Sequence, residues 1–444
     1  MRNIYKNLYF PARFFIAASI IITVIAFSFI VYWLFPIGLA ILTILIVITT
    51  ADIILIFDKK RKLEVKRIIP GLLSLGDENK ISISVKNLSG IFLHITIIDE
   101  LPYQLQIRDF SLELSLNNKE EKIIDYQIRP TSRGKYTFGN INLFITSTIG
   151  FIQKKIIFNI TENVPVFPSV IQMKKFELRS NPFYTINEGV KRHRRIGHSY
   201  EFDQIKEYVI GDDSRSINWK ASSRRGNLMV NQYEDERSQQ VYSILDKSRI
   251  MRMPFNKLTL LDYAINTTLV ISNVVLQKND KAGLITFSNK IGSILPAERS
   301  SQQLRKILQA LYNEKESFVE AEYQLLYHLV RNVIKNRSLI FLYTNFESYY
   351  AFERILPVLR HISKLHLLVV IFFENEEVTS LSKKTAGNLH EIFVQTMAKK
   401  YLHEKNQIIS ELFNHGIHAI KTLPDDLSIN TINKYLELKS RGMI

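Results

Sequence analysis

Two uncharged apolar runs near the N-terminus limit what this chain can fold into more than any other feature. Phe14–Trp33 (FFIAASIIITVIAFSFIVYW) has twenty residues without a charge, and Ile37–Phe57 (IGLAILTILIVITTADIILIF) is a second run of similar length, broken only by Asp52. A helix rises about 1.5 Å per residue, so each run is long enough to cross a hydrocarbon layer of roughly 30 Å. Only Leu34-Phe35-Pro36 joins them, and Pro36 is expected to stop the first helix. Residues 1–62 therefore read as a two-helix transmembrane hairpin, with helices at about 14–34 and 37–57. A cleaved signal peptide would have a shorter apolar stretch followed by a small-residue cleavage site, and this segment has neither.

Flanking charge sets the expected orientation. Arg2, Lys6 and Arg13 precede the first run, Lys59-Lys60-Arg61-Lys62 follows the second, and the turn between them is uncharged. Positive residues stay inside, which predicts a two-pass membrane protein with both termini in the cytoplasm. The formal net charge of +16 suits contact with anionic membrane lipids. The absence of cysteine excludes disulfides, thiol nucleophiles and cysteine-ligated metals, and it suits a reducing compartment.

Beyond the membrane segment the hydrophobic rhythm changes twice. Residues 63–165 carry short alternating runs such as ISISVKNLSG and FLHITIIDELP, punctuated by Gly, Asn, Asp and Pro about every ten residues. That pattern predicts an antiparallel β-sandwich of immunoglobulin-like type, and it contains no catalytic constellation. Residues 166–238 read as a linker. From 239 to 444 buried strands (QVYSILD, KAGLITF, SLIFLYTN, LHLLVVIFF, HAIKTL) alternate with helical segments. This alternation predicts a doubly wound α/β domain with a mostly parallel sheet. Ligands of such sheets bind at the carboxyl ends of the strands, where Asp246, Thr344 and Asn345 fall.

Asp246-Lys-Ser248 resembles the Asp-x-Ser-x-Ser opening of the von Willebrand A metal-ion-dependent adhesion site, a donor set of oxygens that suits magnesium. Ile250 occupies the second serine position, and Asn345 stands where that family usually has an aspartate. Asp246, Ser248 and Asn345 are thus a degenerate candidate site for Mg2+. The alternative is that Asp246 and Ser248 only cap the following loop. No cofactor is required on either reading. The chain has no G-x-x-x-x-G-K-[ST] loop and no nucleophile-elbow serine, and His193 and His198 sit apart in a basic loop. The run Lys191–Arg195 lacks the interleaved aromatics that stack on bases, so no nucleic acid partner is expected.

The densest chemistry lies in Glu207–Val230, EYVIGDDSRSINWKASSRRGNLMV. Arg195, Glu201, Tyr208, Gly211, Asp212, Asp213, Arg215, Asn218, Trp219, Lys220 and Arg224 form a signature that resembles family 58 of the bacterial domains of unknown function. The resemblance extends to Arg133-Gly134-x-Tyr136-x-Phe138-Gly139 and covers nearly the whole chain. It implies a von Willebrand A-like C-terminal domain and a MoxR-type AAA+ ATPase as partner, in chaperone-like assembly or activation of other proteins. Two roles suit the signature itself. It is either an ion-pair clasp, with Asp212 and Asp213 pairing Arg215 and Arg224 while Trp219 packs on the neighbouring domain, or a docking face for the partner. The expected function is a membrane-anchored, non-enzymatic adaptor. The alternatives are a metal-dependent inner-membrane enzyme using Asp246, Ser248 and Asp213, or a purely structural envelope component.

Overall fold

The computed structural model describes residues 7–57, 63–169, 171, 173, 201–209, 212, 214–234, 238–384 and 387–444. They fall into two compact units, Met1–Phe167 and Pro168–Ile444.

The first unit opens with two apolar helices. Ala12–Phe27 begins directly after Pro11 and ends at Ser28, giving 16 residues where a run to Trp33 was expected. At about 1.5 Å per residue it is roughly 24 Å long, short of a full hydrocarbon crossing. Leu34–Phe57, at 24 residues, is long and apolar enough to span a membrane. The chain reverses through turns at 28–33, upstream of Pro36, and Pro36 sits in the first turn of the second helix. In that position the missing proline N–H has no intrahelical partner to lose, so Pro36 starts a helix and does not stop one. Gly38 lets the two helices approach, because a Cβ there would lie 2.8 Å from Ile25 Cγ1.

Asp52, the one charge in the second apolar run, is fully buried. Its carboxylate accepts from Ser147 Oγ and from the backbone N–H groups of Phe151 (3.0 Å) and Ile152 (2.9 Å). The end of the helix is thus pinned to a loop of the β region by a carboxylate holding three donors.

That β region consists of antiparallel sheets. One has the strand order Leu8–Tyr9, Gln153–Phe158, Ile141–Thr146, Leu93–Asp99, Leu112–Leu116, and another the order Leu63–Ile68, Asn79–Asn87, Glu121–Ile128. A third pairs Glu162–Phe167 antiparallel with Gly134–Phe138 and, over two residues, parallel with Leu73–Ser74. In Leu93–Asp99 the residues Leu93, Ile95, Ile97 and Asp99 are buried while the ones between are not, which is the period-2 alternation of a half-buried strand. Inside the core Arg67 pairs with Asp99 and also donates to the carbonyls of Ile160 (2.7 Å) and Gly139 (2.9 Å).

The second unit is built on a six-stranded sheet in the order Ile291–Glu298, Lys281–Phe287, Gln240–Asp246, Leu339–Tyr343, Leu367–Phe373, His418–Thr422. The last five strands are mutually parallel, and Ile291–Glu298 adds an antiparallel edge. The central strands are continuously buried, as expected for a sheet covered on both faces. Helix Leu260–Gln277 is entered through a capping box in which Thr259 and Asp262 satisfy each other's backbone amides. The edge strand Ile291–Glu298 and the helices Tyr323–Val333 and Glu376–Lys383 have no counterpart in the sequence reading. Each is short, and Glu376–Lys383 carries only Val378 and Leu381 as apolar residues with which to register a period.

Candidate functional site

The carboxyl end of the parallel sheet is filled by side chains. Asp246 terminates the strand Gln240–Asp246 and is fully buried. Its Oδ1 accepts the Ser248 N–H at 2.9 Å, and its Oδ2 accepts the Thr344 hydroxyl at 2.8 Å and the Tyr323 phenol at 3.3 Å. Tyr323 and Thr344 also bond to each other at 2.8 Å. Burial raises the Asp246 carboxyl above its ordinary range, and the bonds from Ser248, Thr344 and Tyr323 oppose that rise. Burial, together with the Asp246 charge, pushes the Tyr323 phenol well up. The Ser248 hydroxyl is buried and makes no hydrogen bond of ordinary geometry.

Asn345 follows Thr344 and faces a cation. Its Oδ1 accepts from Lys405 Nζ at 2.8 Å and from the Phe346 N–H at 3.0 Å, and Lys405 also donates to the Phe346 carbonyl at 2.6 Å. Lys405 is 3% exposed and lies against the rings of Phe372 and Tyr401. Burial, with the neighbouring Lys421 charge, holds its ammonium down at about 7. Beside this group, Glu314 accepts from Lys247 Nζ, Thr286 Oγ1 (both 2.7 Å) and the Ser293 N–H (3.2 Å).

Three of the roughly four lone-pair positions of the Asp246 carboxylate face two hydroxyls and an amide, and Asn345 offers its oxygen to buried Lys405, which leaves few of the free oxygens that an octahedral magnesium site demands. Among the described residues no group of three or more His, Asp or Glu side chains is placed to hold a metal. Sequence reasoning located Asp246, Ser248 and Asn345 at one end of the sheet but missed Tyr323 and Lys405, which close that end.

The signature segment forms a second, exposed feature. Glu201–Glu207 and Met229–Glu234 pair as an antiparallel hairpin, and between them lie a 3-10 turn at Ser214–Ser216 and the helix Trp219–Arg225. Asn218 organises the junction. Its Oδ1 caps the helix by accepting from the Ala221 N–H at 3.0 Å, and its Nδ2 donates to Asn231 Oδ1 at 2.8 Å. Its own N–H reaches the Met229 carbonyl at 2.8 Å. The Ser222 hydroxyl ties the helix back to the strand by accepting from the Met229 N–H at 2.8 Å. Gly226 ends the helix at φ 75°, a left-handed cap that favours glycine. Tyr208 is half-buried and donates its N–H to the Leu228 carbonyl at 2.8 Å.

Asp212 pairs with Lys206 at 2.8 Å and accepts the Val209 N–H, and the Lys206 contact holds its carboxyl below the ordinary range. The sequence-based clasp gave this carboxylate to Arg215 or Arg224. Trp219 is 70% exposed, and Lys220, Arg224 and Arg225 are exposed on the same short helix. The indole therefore does not pack into a core among the described residues, as the clasp requires. Arg215 is exposed on the 3-10 turn. Glu201 begins the first hairpin strand, while Arg195, Gly211 and Asp213 lie outside the described residues.

Comparison with known proteins agrees with the signature. Residues 204–389 match the family model "Protein of unknown function DUF58". The chain is 25% identical over 203 residues to the uncharacterized protein YeaD of Bacillus subtilis (strain 168), a match that covers 44% of this chain and 46% of that protein. The chain thus spans about half the length of this relative. Among solved structures, the CARDB domain of the PF1109 protein of Pyrococcus furiosus, determined with di-metal ions, is 21% identical. It covers 24% of this chain and 90% of its own, with a TM-score of 0.18. The ASH / PapD-like domain of human CEP192 is 8% identical, covers 24% of this chain and 87% of its own, and has a TM-score of 0.19. At such TM-scores neither likeness bears on the fold.

Proposed function

From the premise that residues 204–389 match the DUF58 family, we propose that this protein is a membrane-held, non-enzymatic adaptor that docks an AAA+ ATPase of the MoxR type. The observation that carries the reading is Trp219, 70% exposed on a short capped helix that also exposes Lys220, Arg224 and Arg225. Tryptophan and arginine dominate the energetic centres of protein interfaces, and a rigid capped helix presents them at low entropic cost. The basic residues select an acidic partner face. A MoxR-type partner comes from the family resemblance of the signature string.

Two finer readings belong to the same proposal. The second unit takes the von Willebrand A-like arrangement, which five parallel strands with one antiparallel edge support, and the β region is an immunoglobulin-like sandwich. Both apolar segments lie in the inner membrane with the termini cytoplasmic, the uncharged turn at 28–33 extending the shorter helix Ala12–Phe27, a reading supported by the length of Leu34–Phe57 and by the basic flanks.

The test is co-purification of the full chain in detergent with a MoxR-type ATPase, with nucleotide and magnesium present. Trp219→Ala and Arg224→Ala should each weaken capture by about tenfold or more while leaving the melting temperature unchanged. Capture that is indifferent to both substitutions rejects this face as the docking site.

A further inference from the structure

The helix Leu389–Asn414 is packed along only part of its length. Its buried residues are Ala398, Lys405, Ile408 and Leu412, so the first nine residues bury none. Leu389 (84% exposed), Ile392, Phe393 and Met397 follow one another at spacings of three, one and four residues and share one exposed face of the helix. The helix Glu376–Lys383 packs beside it, and its exposed Leu381 adds to the apolar surface. Lysines fringe this surface on both sides, with Lys383 and Lys384 exposed at the end of the shorter helix and Lys399 and Lys400 exposed one turn further along the longer one. The nearest carboxylate, Glu391, is turned onto its own helix start, where it accepts from the Gly387 N–H at 2.7 Å and from Asn388 Nδ2 at 3.2 Å. Glu376 and Glu377 lie at the opposite end of the shorter helix, about 10 Å from Lys383 by helical rise.

We infer that this helical tip is a lipid-contacting element that inserts Leu389, Ile392, Phe393 and Met397 into the boundary layer of an anionic bilayer, with the four lysines at the headgroups. An apolar helix face edged by lysine is the composition that binds such interfaces, because burying aliphatic and phenyl groups and pairing ammonium with lipid phosphate act together. The same chain carries a helix long enough to cross a membrane, so a bilayer is within its working environment. The inference is independent of any ATPase partner.

The absence of cysteine makes the test clean. Phe393→Cys and, as a control at the other end of the same helix, Phe413→Cys (77% exposed in the native chain) are labelled with an environment-sensitive fluorophore. The full-length protein is then reconstituted in nanodiscs of phosphatidylglycerol or phosphatidylcholine that carry doxyl-labelled lipid. The expected result is quenching at position 393 at least about twofold stronger than at 413 in the anionic discs, weakened in phosphatidylcholine and by joint substitution of Lys383, Lys384, Lys399 and Lys400 with glutamine. Equal quenching at the two positions, or quenching indifferent to lipid charge, overturns the inference. Protection of the 393 label in lipid-free detergent that grows with protein concentration would assign the face to a second copy and also overturn it.

Discussion

Lys405 donates from Nζ to Asn345 Oδ1 across 2.8 Å, putting an ammonium on the oxygen that a bound metal would need. A lysine buried to this degree is costly in its charged form, and burial holds it down from 10.5 to about 7. The unfolded chain keeps the ordinary value, so between pH 7 and 10.5 it binds a proton that the folded chain has released. Stability should therefore rise with pH across that window and level off below its lower edge. The swing is up to about 5 kcal/mol for a shift of this size, and Lys405→Met should flatten it. Urea melts at neutral and alkaline pH, compared between wild type and variant, check this. Equal slopes for the two proteins would contradict the assignment.

Metal addition offers a second check. With both Asp246 oxygens engaged by Ser248, Thr344 and Tyr323 and with Asn345 turned to Lys405, millimolar magnesium should leave the melting temperature unmoved. A bound ion at a hundredfold its Kd would add about 2.7 kcal/mol and a shift of several degrees. Tyr323→Phe should cost about 1 kcal/mol, because Thr344 continues to donate to the carboxylate. A magnesium-dependent rise abolished by Asp246→Ala would restore the metal reading.

Asp52 supplies a prediction for the membrane segment. Replacement by leucine suits a helix facing lipid but leaves the Phe151 and Ile152 amides and the Ser147 hydroxyl without their acceptor. Each stranded buried donor costs about 1–3 kcal/mol. Asp52→Leu should therefore loosen the 147–152 loop and hasten its cleavage by protease in detergent micelles. Unchanged proteolysis would mean that the pin contributes little.

Arg67 and Asp99 form a fully buried pair inside the β region. Removing one partner strands the other charge, so Arg67→Met alone should destabilise the first unit by about 3–5 kcal/mol, and adding Asp99→Leu should recover much of the loss. Chemical denaturation of the two variants distinguishes this from a simple packing defect, for which the second substitution would only add damage.

Trp219→Ala gives the simplest contrast. A side chain this exposed contributes little to folding, so the variant should melt within about 0.5 kcal/mol of wild type. Loss of stability beyond that would revive the clasp and weaken the docking reading.

Much of the architecture was legible because it is written in local periodicity. The alternation in Leu93–Asp99, the unbroken apolar runs of Leu339–Tyr343 and Leu367–Phe373, and the spacing in Leu260–Gln277 each report a strand or helix from neighbours alone. The turn between the apolar helices was misplaced for a related reason. Pro36 was weighed as a helix breaker, although a proline in a first turn is a helix starter, and only the observed boundary distinguishes the two. The edge strand Ile291–Glu298 alternates weakly, so its exposed pairing escaped a reading based on burial.

By itself the sequence determined that the chain carries a span of membrane length, antiparallel and parallel β regions in succession, and the signature that matches DUF58 over residues 204–389. Tertiary structure alone decided what the polar residues do. Tyr323 meets Asp246 from 77 positions away, Lys405 meets Asn345 from 60, and Ser147 meets Asp52 from 95. A hydrogen bond acts over about 3 Å, and which distant side chains come within that reach depends on strand order and crossover geometry that no local pattern encodes.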